Sequence, residues 1–200
     1  MTEPTSPTPA SCCGGKAIGS VTVRAAQLHE FAALIDIEER ADAMLVEYLG
    51  ATSWPAADPD RSVQPGFTLV AEVSDVLVGF AQVLLPGGLA HLEQISVLPE
   101  YGRQGNGAAL VEAAATETRH RGYDAVTLRT YADVPWNAPF YARHGFVEST
   151  PETAFHRSLI EAEARLGLER FGCRVQMTRL LNANTPPPQD AMVGCRSGDD

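Results

Sequence analysis

Hydrophobic positions recur with two different periods in the first 50 residues of the chain. Alternation over residues 18–26 indicates a first strand whose apolar side chains are Ile18, Val21 and Val23. Residues 25–50 instead carry large apolar side chains at helical spacing, at positions 28, 31, 34 and 35. This pattern predicts one or two helices that end at Gly50, because glycine accepts the left-handed conformation of a helix C-terminus.

Three strand-like runs follow a loop over residues 51–66 that contains three prolines. The runs occupy residues 67–73, 76–85 and 91–97. Only Ser74 and Asp75 separate the first two runs, which predicts a hairpin. Short connections between successive strands require antiparallel pairing, so the three runs predict an antiparallel meander.

Helices and strands alternate in the second half of the chain. The expected segments are a helix over 104–121, a strand over 125–132, a short helix over 136–146, a mostly helical or loop segment over 151–169 and a final strand over 172–181. The single β-α-β crossover therefore comes after the meander. This order predicts an α/β fold with a mixed, largely antiparallel central sheet flanked by helices on both faces.

Both ends of the chain differ in composition from the rest. Residues 1–17 and 183–200 are rich in proline, glycine and small polar residues, so we expect two disordered tails. The remaining segment, 18–182, has the length of one domain. The apolar fraction of 44% is enough for a sizeable core in that segment.

The net charge of −10 at pH 7 narrows the classes of partner. It argues against a general nucleic-acid binder, which must neutralise phosphates, and mildly favours cationic partners such as amines. No apolar run reaches the roughly 18 residues of a membrane-spanning helix, and the N-terminus does not resemble a signal peptide. We therefore expect a cytoplasmic protein without a membrane partner. The cysteines lack metal-ligand spacing, so Cys12 and Cys13 are expected to be free thiols and no metal site is predicted.

Three glycines, Gly102, Gly105 and Gly107, lie between the third meander strand and the next helix. The free N–H groups at a helix N-terminus attract phosphate, and glycine lets the phosphate touch the backbone. A P-loop needs a lysine after its last glycine, where this chain has Ala108. A dinucleotide-binding fingerprint has the reverse glycine spacing and follows its strand directly, so it also fits poorly. An acyl-CoA pyrophosphate loop and a simple capping turn remain as interpretations.

Two stretches of the chain resemble the GNAT N-acetyltransferase superfamily. The first stretch, residues 91–110, reads HLEQISVLPEYGRQGNGAAL. It is similar to the family's strand, V-x-P turn and Q/R-x-x-G-x-G/A helix start. The second stretch, residues 137–146, reads NAPFYARHGF and is similar to the family's N…Y-x-x-x-GF signature. The resemblance covers roughly residues 18–182. It departs from the family pattern at Gly102, which occupies the usual Arg/Gln position, with Arg103 displaced by one.

The resemblance implies an acyl-CoA site with acetyl-CoA as the co-substrate and no metal. The implied binding residues are Ile95, Ser96 and Val97 beside the pantetheine arm, Arg103, Gln104, Gly105, Asn106, Gly107 and Ala108 around the pyrophosphate, and Asn137, Pro139, Phe140, Tyr141 and Arg143 on the short helix. The arm would pair with the backbone like another strand, because the family's sheet splays open at this point.

The resemblance further implies direct transfer of an acetyl group to a primary amine of a small molecule or peptide, within a ternary complex. The amine must first lose a proton, since alkyl ammonium groups have a pKa of about 10.4. Simple alternation places Glu93 on the strand face of Ile95 and Val97, where it could act as the base. The Val97 N–H would stabilise the oxyanion and Tyr141 would protonate the thiolate. A solvent-facing Glu93 and a core Tyr141 are the alternatives.

Several further residues and functions stay open at this stage. His91 and His144 are expected to be structural, and Glu38, Glu39 and Asp42 to form a solvated helix face, with a cationic acceptor beside them as the alternative. Exposed final strands would favour a homodimer. The rival to an acyl-CoA-dependent N-acyltransferase is a non-catalytic acyl-CoA-binding or sensing module on the same fold.

Overall fold

The computed structural model describes residues 20–57 and 61–181. Within them the strands are β1 (Thr22–Ala25), β2 (Gly66–Val73), β3 (Val76–Leu84), β4 (His91–Val97), β5 (Ala125–Tyr131), β6 (Val147–Glu148) and β7 (Arg174–Leu180). The α-helices are α1 (Phe31–Leu49), α2 (Asn106–His120), α3 (Ala138–Arg143) and α4 (Ala154–Leu166). The expected tails and the two outer domain boundaries lie outside the described residues, so those expectations stay predictions.

The strands form one seven-stranded sheet in the order β1-β2-β3-β4-β5-β7-β6. Every neighbouring pair is antiparallel except β4 and β5, which are parallel and are connected through α2. The predicted mixed, largely antiparallel sheet with a meander and one crossover is therefore confirmed.

Helices cover both faces of the sheet because β3 is apolar on both. Leu110 and Val111 of α2 pack in the core cluster that contains Ala81 of β3. Leu34 of α1 packs in a separate cluster with Phe80, the preceding residue of the same strand. Successive strand residues point to opposite faces, so α1 and α2 lie on opposite sides of β3. A strand buried on both faces is thus the centre of the fold.

Local turn chemistry agrees with the sequence pattern at the two positions where it matters most. Ser74 and Asp75 have φ angles of 50° and 63°, as a two-residue turn with positive φ at both central positions requires. Gly50 ends α1 in the left-handed conformation. The expected hairpin and the expected helix end are both confirmed.

The last part of the sheet differs from the expectation. The two-residue strand β6 pairs with β7, so β7 lies between β5 and β6 rather than at an edge. Two residues are too few for a periodic pattern, which is why the sequence did not reveal β6. The exposed final strand that favoured a homodimer is therefore not an edge, and the oligomeric state stays a prediction. None of the described helices has the length and apolar character needed to cross a membrane.

Candidate active site

A gap opens in the sheet between β4 and β5. The two strands pair at one register position, His91 with Thr127, where the Thr127 N–H donates to the Ala90 carbonyl at 3.0 Å. Within the described chain no further register pair joins them toward their C-terminal ends. The strands therefore separate toward Val97 and Tyr131, as the resemblance had implied.

Backbone groups of β4 point into this gap. The Leu98 N–H donates to the Val78 carbonyl of β3 at 2.8 Å. Because successive residues of a strand direct their N–H and C=O groups to opposite edges, those of Val97 and Ile95 face away from β3. Ser96 lies between them, so its backbone faces β3, and its side chain is buried. Ile95 and Val97 thus offer free strand-edge groups to a ligand, and Ser96 does not.

A β-bulge interrupts β4 at the candidate base. Leu92 pairs with Val83 of β3, and Gln94 pairs with Gln82, the preceding residue of β3. Glu93 is therefore the extra residue of the bulge, between these two register pairs. Bulges of this kind change the direction of the side chains around them and often lie beside active sites.

The bulge changes the face on which Glu93 lies. Leu92 and Ile95 both belong to the core on the α2 side, although an uninterrupted strand would place residues three apart on opposite faces. Glu93 instead lies beside His91, with 3.6 Å between Oε2 and Nε2. The expectation that Glu93 shares a face with Ile95 and Val97 is therefore wrong. Its side chain is 40% exposed, so it is a solvent-accessible carboxylate rather than a buried one.

The glycine-rich loop leads directly into the N-terminus of α2. Gly105 precedes the helix with φ at 89°, and Arg103 also has a positive φ of 59°. The buried side chain of Asn106 donates to the Tyr101 carbonyl at 2.9 Å, and the Gln104 side chain donates to another carbonyl of the same turn at 2.9 Å. These bonds hold the loop in shape. The first N–H groups of the helix are left without intrahelical partners and can bind an anion.

Gly107 brings the loop, β4 and α3 together. A Cβ atom on Gly107 would lie 3.6 Å from Cζ of Phe140 and 3.9 Å from Cγ2 of Val97. The N-terminus of α2, the end of β4 and the short helix α3 therefore meet around one point. The two sequence motifs, about 30 residues apart in the chain, form one site.

Tyr141 lies on α3 beside this point. Its ring contacts Phe140 and Phe146, with centroid distances of 5.2 and 5.7 Å. Burial raises the pKa of Tyr141 to about 12, against the opposing effect of the Arg174 charge. No group in the described part of the chain forms a hydrogen bond with its hydroxyl. Tyr141 is therefore a neutral donor whose proton is available to a ligand.

The other predicted residues of α3 have distinct positions. The Asn137 carbonyl accepts the N–H groups of Phe140 and Tyr141, at 2.8 and 3.0 Å, and so starts the helix. Pro139 lies exposed in the first turn, where its missing N–H costs nothing. Arg143 lies exposed in the last turn. Asn137 thus acts on α3 through its backbone. The contacts of Asn137, Pro139 and Arg143 show no ligand role for their side chains.

His144 has the structural role that was expected. It forms the C-cap of α3, and its Nδ1 lies 3.1 Å from Oε1 of Glu112. Arg179 binds the same carboxylate with two hydrogen bonds of 2.8 and 2.9 Å. These contacts tie α3 to α2 and β7.

The expected acidic face of α1 is only partly a solvated face. Glu38 is buried and forms an ion pair with Arg61, whose guanidinium also contacts Gln82 of β3. The Asp42 carboxylate accepts a hydrogen bond of 3.0 Å from the Trp54 indole, and burial raises its pKa. The expectation is therefore wrong for Glu38, because its partner lies 23 residues away in a loop that carries no periodic pattern.

A buried polar cluster behind Glu93 was missed by sequence reasoning. His91 Nδ1 lies 2.8 Å from the hydroxyl of Thr127, which also lies 3.3 Å from Nε2 of His156. Both histidines are at least nine-tenths buried. The sequence predicts only a structural role for His91, because the parallel pairing of β4 with β5 is what brings Thr127 to it.

Neither described cavity is lined by a residue of β4. A cavity of about 460 Å³ lies between β1, β2 and the second half of α2. A smaller one of about 150 Å³ lies at the end of β5, between Tyr48, Tyr131, Asp133 and Phe171. Within residues 20–57 and 61–181, no group of three or more His, Cys, Asp or Glu side chains is placed to bind a metal.

The chain matches the sequence model of a protein family. The model of the acetyltransferase (GNAT) family matches residues 28–146, which include the bulged strand, the glycine loop and α3. The chain belongs to the GNAT family. The match covers more than half of the chain, and it includes both motifs on which the resemblance rested.

Solved GNAT structures share this fold. The ribosomal-protein-S18-alanine N-acetyltransferase from Escherichia coli has a TM-score of 0.60 and 20% identity, with 84% of this chain and 99% of that chain covered. PaiA N-acetyltransferase from Thermoplasma acidophilum, in complex with coenzyme A, has a TM-score of 0.57 and 14% identity, with 80% and 99% covered. A GNAT-family acetyltransferase from Staphylococcus aureus Mu50 has a TM-score of 0.61 and 14% identity, with 82% and 100% covered. At these identities the likeness concerns the fold.

Proposed function

We propose that this GNAT protein transfers an acetyl group from acetyl-CoA to a primary amine of a small molecule or peptide. One observation carries the proposal: Gly107, at the anion-binding start of α2, lies against Val97 at the unpaired end of β4 and against Phe140, the neighbour of the neutral phenol of Tyr141 on α3. Acetyl-CoA can use each of these features: a backbone edge for its arm, N–H donors for its phosphates and a proton donor for its sulfur.

The chemistry of the described residues fits coenzyme A. The first N–H groups of α2, from Gly105 to Ala108, provide donors for a pyrophosphate, and exposed Arg103 adds a positive charge beside them. The Ile95 N–H and the carbonyl groups of Ile95 and Val97 provide one donor and two acceptors for the amides of the arm. Several structures with this fold contain coenzyme A, PaiA among them, which supports the same ligand here.

The N–H of Val97 is positioned to stabilise negative charge on the thioester carbonyl oxygen. It points into the gap and belongs to a strand that is rigid on its other edge. A donor fixed in this way costs no reorganisation when charge develops, and one such donor is worth about 3–4 kcal/mol of transition-state stabilisation. The amine attacks the thioester carbonyl and forms the C–N bond, which places the negative charge on the oxygen beside the Val97 N–H. Collapse of this tetrahedral species breaks the C–S bond and releases CoA as the thiolate.

Glu93 is the proposed base that removes a proton from the acceptor ammonium before the free amine attacks. Its exposed carboxylate can accept a proton directly or through one water, and the bulge directs it away from the α2 face where the cofactor loop lies. An acceptor that approaches from the α1 and α4 face would therefore meet Glu93 before it meets the thioester. This arrangement favours direct attack in a ternary complex.

Tyr141 is the proposed proton donor to the departing sulfur. A pKa of about 12 keeps the phenol protonated throughout the neutral pH range. A free thiol has a pKa of about 8.5, so its thiolate is a weaker base than this phenolate, and complete transfer of the proton from Tyr141 to the thiolate in water would be uphill. The same burial raises the pKa of a thiol formed beside Tyr141, which brings the two pKa values closer. Proton donation concerted with C–S cleavage removes the remaining difference.

The test is acetyl-CoA-dependent thiol release over a panel of polyamines, amino acids, arylamines, aminoglycosides and short peptides. We expect one amine class to support release, and Tyr141→Phe to lower kcat about 100-fold or more while CoA affinity stays within about twofold. Tyr48→Phe is the matched control, because Tyr48 is half exposed on α1. Equal activity of Tyr141→Phe and the wild type would refute the acid role.

The rival function makes a different prediction in the same assay. A non-catalytic acyl-CoA sensor would bind acetyl-CoA, with a raised melting temperature, yet release no thiol with any amine. Thiol release at equal rates without an amine would instead indicate hydrolysis. Either result would overturn the proposed N-acetyltransferase activity.

A further inference from the structure

We propose that His91 is a positioning residue for Glu93: it is held by Thr127 as the neutral Nε2–H tautomer and donates that N–H to the Glu93 carboxylate. The inference rests on the proposed role of Glu93 as the base, but the tautomer itself can be measured without catalysis. It assigns a function to the buried polar cluster of His91, Thr127 and His156.

The geometry places His91 between Thr127 and Glu93. Its Nδ1 lies 2.8 Å from the Thr127 hydroxyl, and its Nε2, on the opposite side of the ring, lies 3.6 Å from Oε2 of Glu93. The second distance is slightly longer than a hydrogen bond. Hydrogen bonds to catalytic groups are often long in the free enzyme and shorten when substrate binds. The exposed Glu93 side chain can make that small movement, whereas the buried ring of His91 cannot.

The hydroxyl of Thr127 selects the tautomer. It has one proton, which can go to His91 Nδ1 at 2.8 Å or to the Ala90 carbonyl at 3.2 Å. That carbonyl already accepts the Thr127 N–H at 3.0 Å. The contact with Nδ1 is the shorter of the two, and a hydroxyl proton directed to Nδ1 leaves His91 with its own proton on Nε2, toward Glu93. The opposite tautomer would aim a lone pair at an ionised carboxylate.

His156 completes the same hydrogen-bond direction. Its Nε2 lies 3.3 Å from the Thr127 hydroxyl oxygen, which can accept an N–H once its own proton points to His91. Its Nδ1 is buried and has no hydrogen-bond partner in the described chain, as expected for the bare nitrogen of the Nε2–H tautomer. The donors from His156 through Thr127 to His91 therefore all point toward Glu93.

Burial, together with the charges around the ring, keeps His91 neutral. Burial is the largest effect and lowers the pKa of His91 to about 3. The charges of Arg129 and Arg174 lower it further, as does that of His156 whenever His156 is protonated, and Glu163 opposes them. These groups belong to α4, β5 and β7, which pack around the ring, and the Phe155 ring meets it edge-on at 5.4 Å. A neutral ring with a fixed proton can orient a carboxylate without removing its charge.

The pH dependence of kcat/KM separates this role from a packing role. An asparagine at position 91 keeps a polar group near Nδ1 but has none near Nε2, whereas a glutamine can place its amide N–H near Nε2. For His91→Asn we expect the acid limb to move up by about one pH unit, because a hydrogen bond to the ionised carboxylate is lost. His91→Gln should keep the wild-type limb. His120→Asn, at an exposed position on α2, is the matched control.

The second variant pair tests the contact with Thr127. Thr127→Ser keeps the hydroxyl and should keep the acid limb, whereas Thr127→Val keeps the shape but removes the donor and should move the limb in the direction of His91→Asn. An unchanged limb in both Thr127→Val and His91→Asn would overturn the proposal. So would a shift that is equal in His91→Gln and His91→Asn.

Nitrogen-15 NMR of the free wild-type protein reads the tautomer directly. We expect the His91 Nδ1 signal in the range of an unprotonated ring nitrogen and the Nε2 signal in that of an N–H, at neutral pH. A protonated Nδ1 would overturn the proposal even if every variant were inactive. If instead Glu93→Gln leaves the acid limb in place while the tautomer is as expected, the proposed base is wrong and the orientation of His91 stands.

Discussion

Two glycines of the loop give opposite predictions for the same substitution. Gly105→Ala forces a residue with a Cβ to keep φ at 89°, which costs about 1–2 kcal/mol because this region disfavours L-residues. Gly107→Ala lies in the first turn of α2, where its Cβ would meet Phe140 and Val97 at ordinary contact distances of 3.6 and 3.9 Å. Alanine is better in a helix than glycine by about 0.5–1 kcal/mol, so this variant should be more stable.

Thermal unfolding of the free protein measures the two effects. For a folded region of about 160 residues, 1 kcal/mol corresponds to about 2–4 °C. We therefore expect Gly105→Ala to melt about 2–8 °C below the wild type, and Gly107→Ala to melt about 1–4 °C above it. A Gly107→Ala variant that melts lower would refute the packing assigned to that point, and an unchanged Gly105→Ala would refute the assigned loop conformation.

Ligand binding then separates the loop's strain from its function. A Cβ on Gly105 has no protein atom within 4 Å, so it would project into open space at the start of α2, where we propose that the pyrophosphate binds. We expect the Kd of Gly105→Ala for coenzyme A to rise at least tenfold by calorimetry, the loss of about one hydrogen bond to a charged group. Binding of pantetheine, which has no pyrophosphate, should be unchanged. Equal losses for both ligands would contradict the assignment of this loop to phosphate.

Two further predictions concern stability. Glu38→Gln should lower the free energy of unfolding by about 3–5 kcal/mol in urea unfolding, because Arg61 would stay buried without its charged partner. Glu39→Gln, at the next and exposed position, should change it by less than about 0.5 kcal/mol. Equal effects of the two substitutions would contradict the assigned ion pair. The stability should also fall as the pH is lowered from about 6.5 toward 3, because the unfolded chain protonates His91 in that window and the folded chain does not. The fall should be smaller in His91→Gln, and an equal pH slope in both proteins would contradict the burial of a neutral His91.

The sequence by itself determined most of the architecture. The alternating runs, the Ser74–Asp75 turn and Gly50 are local signals, and each was confirmed because the backbone geometry they encode involves only neighbouring residues. The two motifs also identified the family before any contact was known. Local patterns of this kind carry the same information in any tertiary context.

Only the tertiary structure decided the details of the candidate site. The bulge at Glu93 comes from the register between β3 and β4, and alternation along a single strand cannot show it. The partners of Glu38 and His91, which are Arg61 and Thr127, lie 23 and 36 residues away in the chain. Polar side chains form such pairs without any periodic pattern, because they depend on which strands and loops pack together.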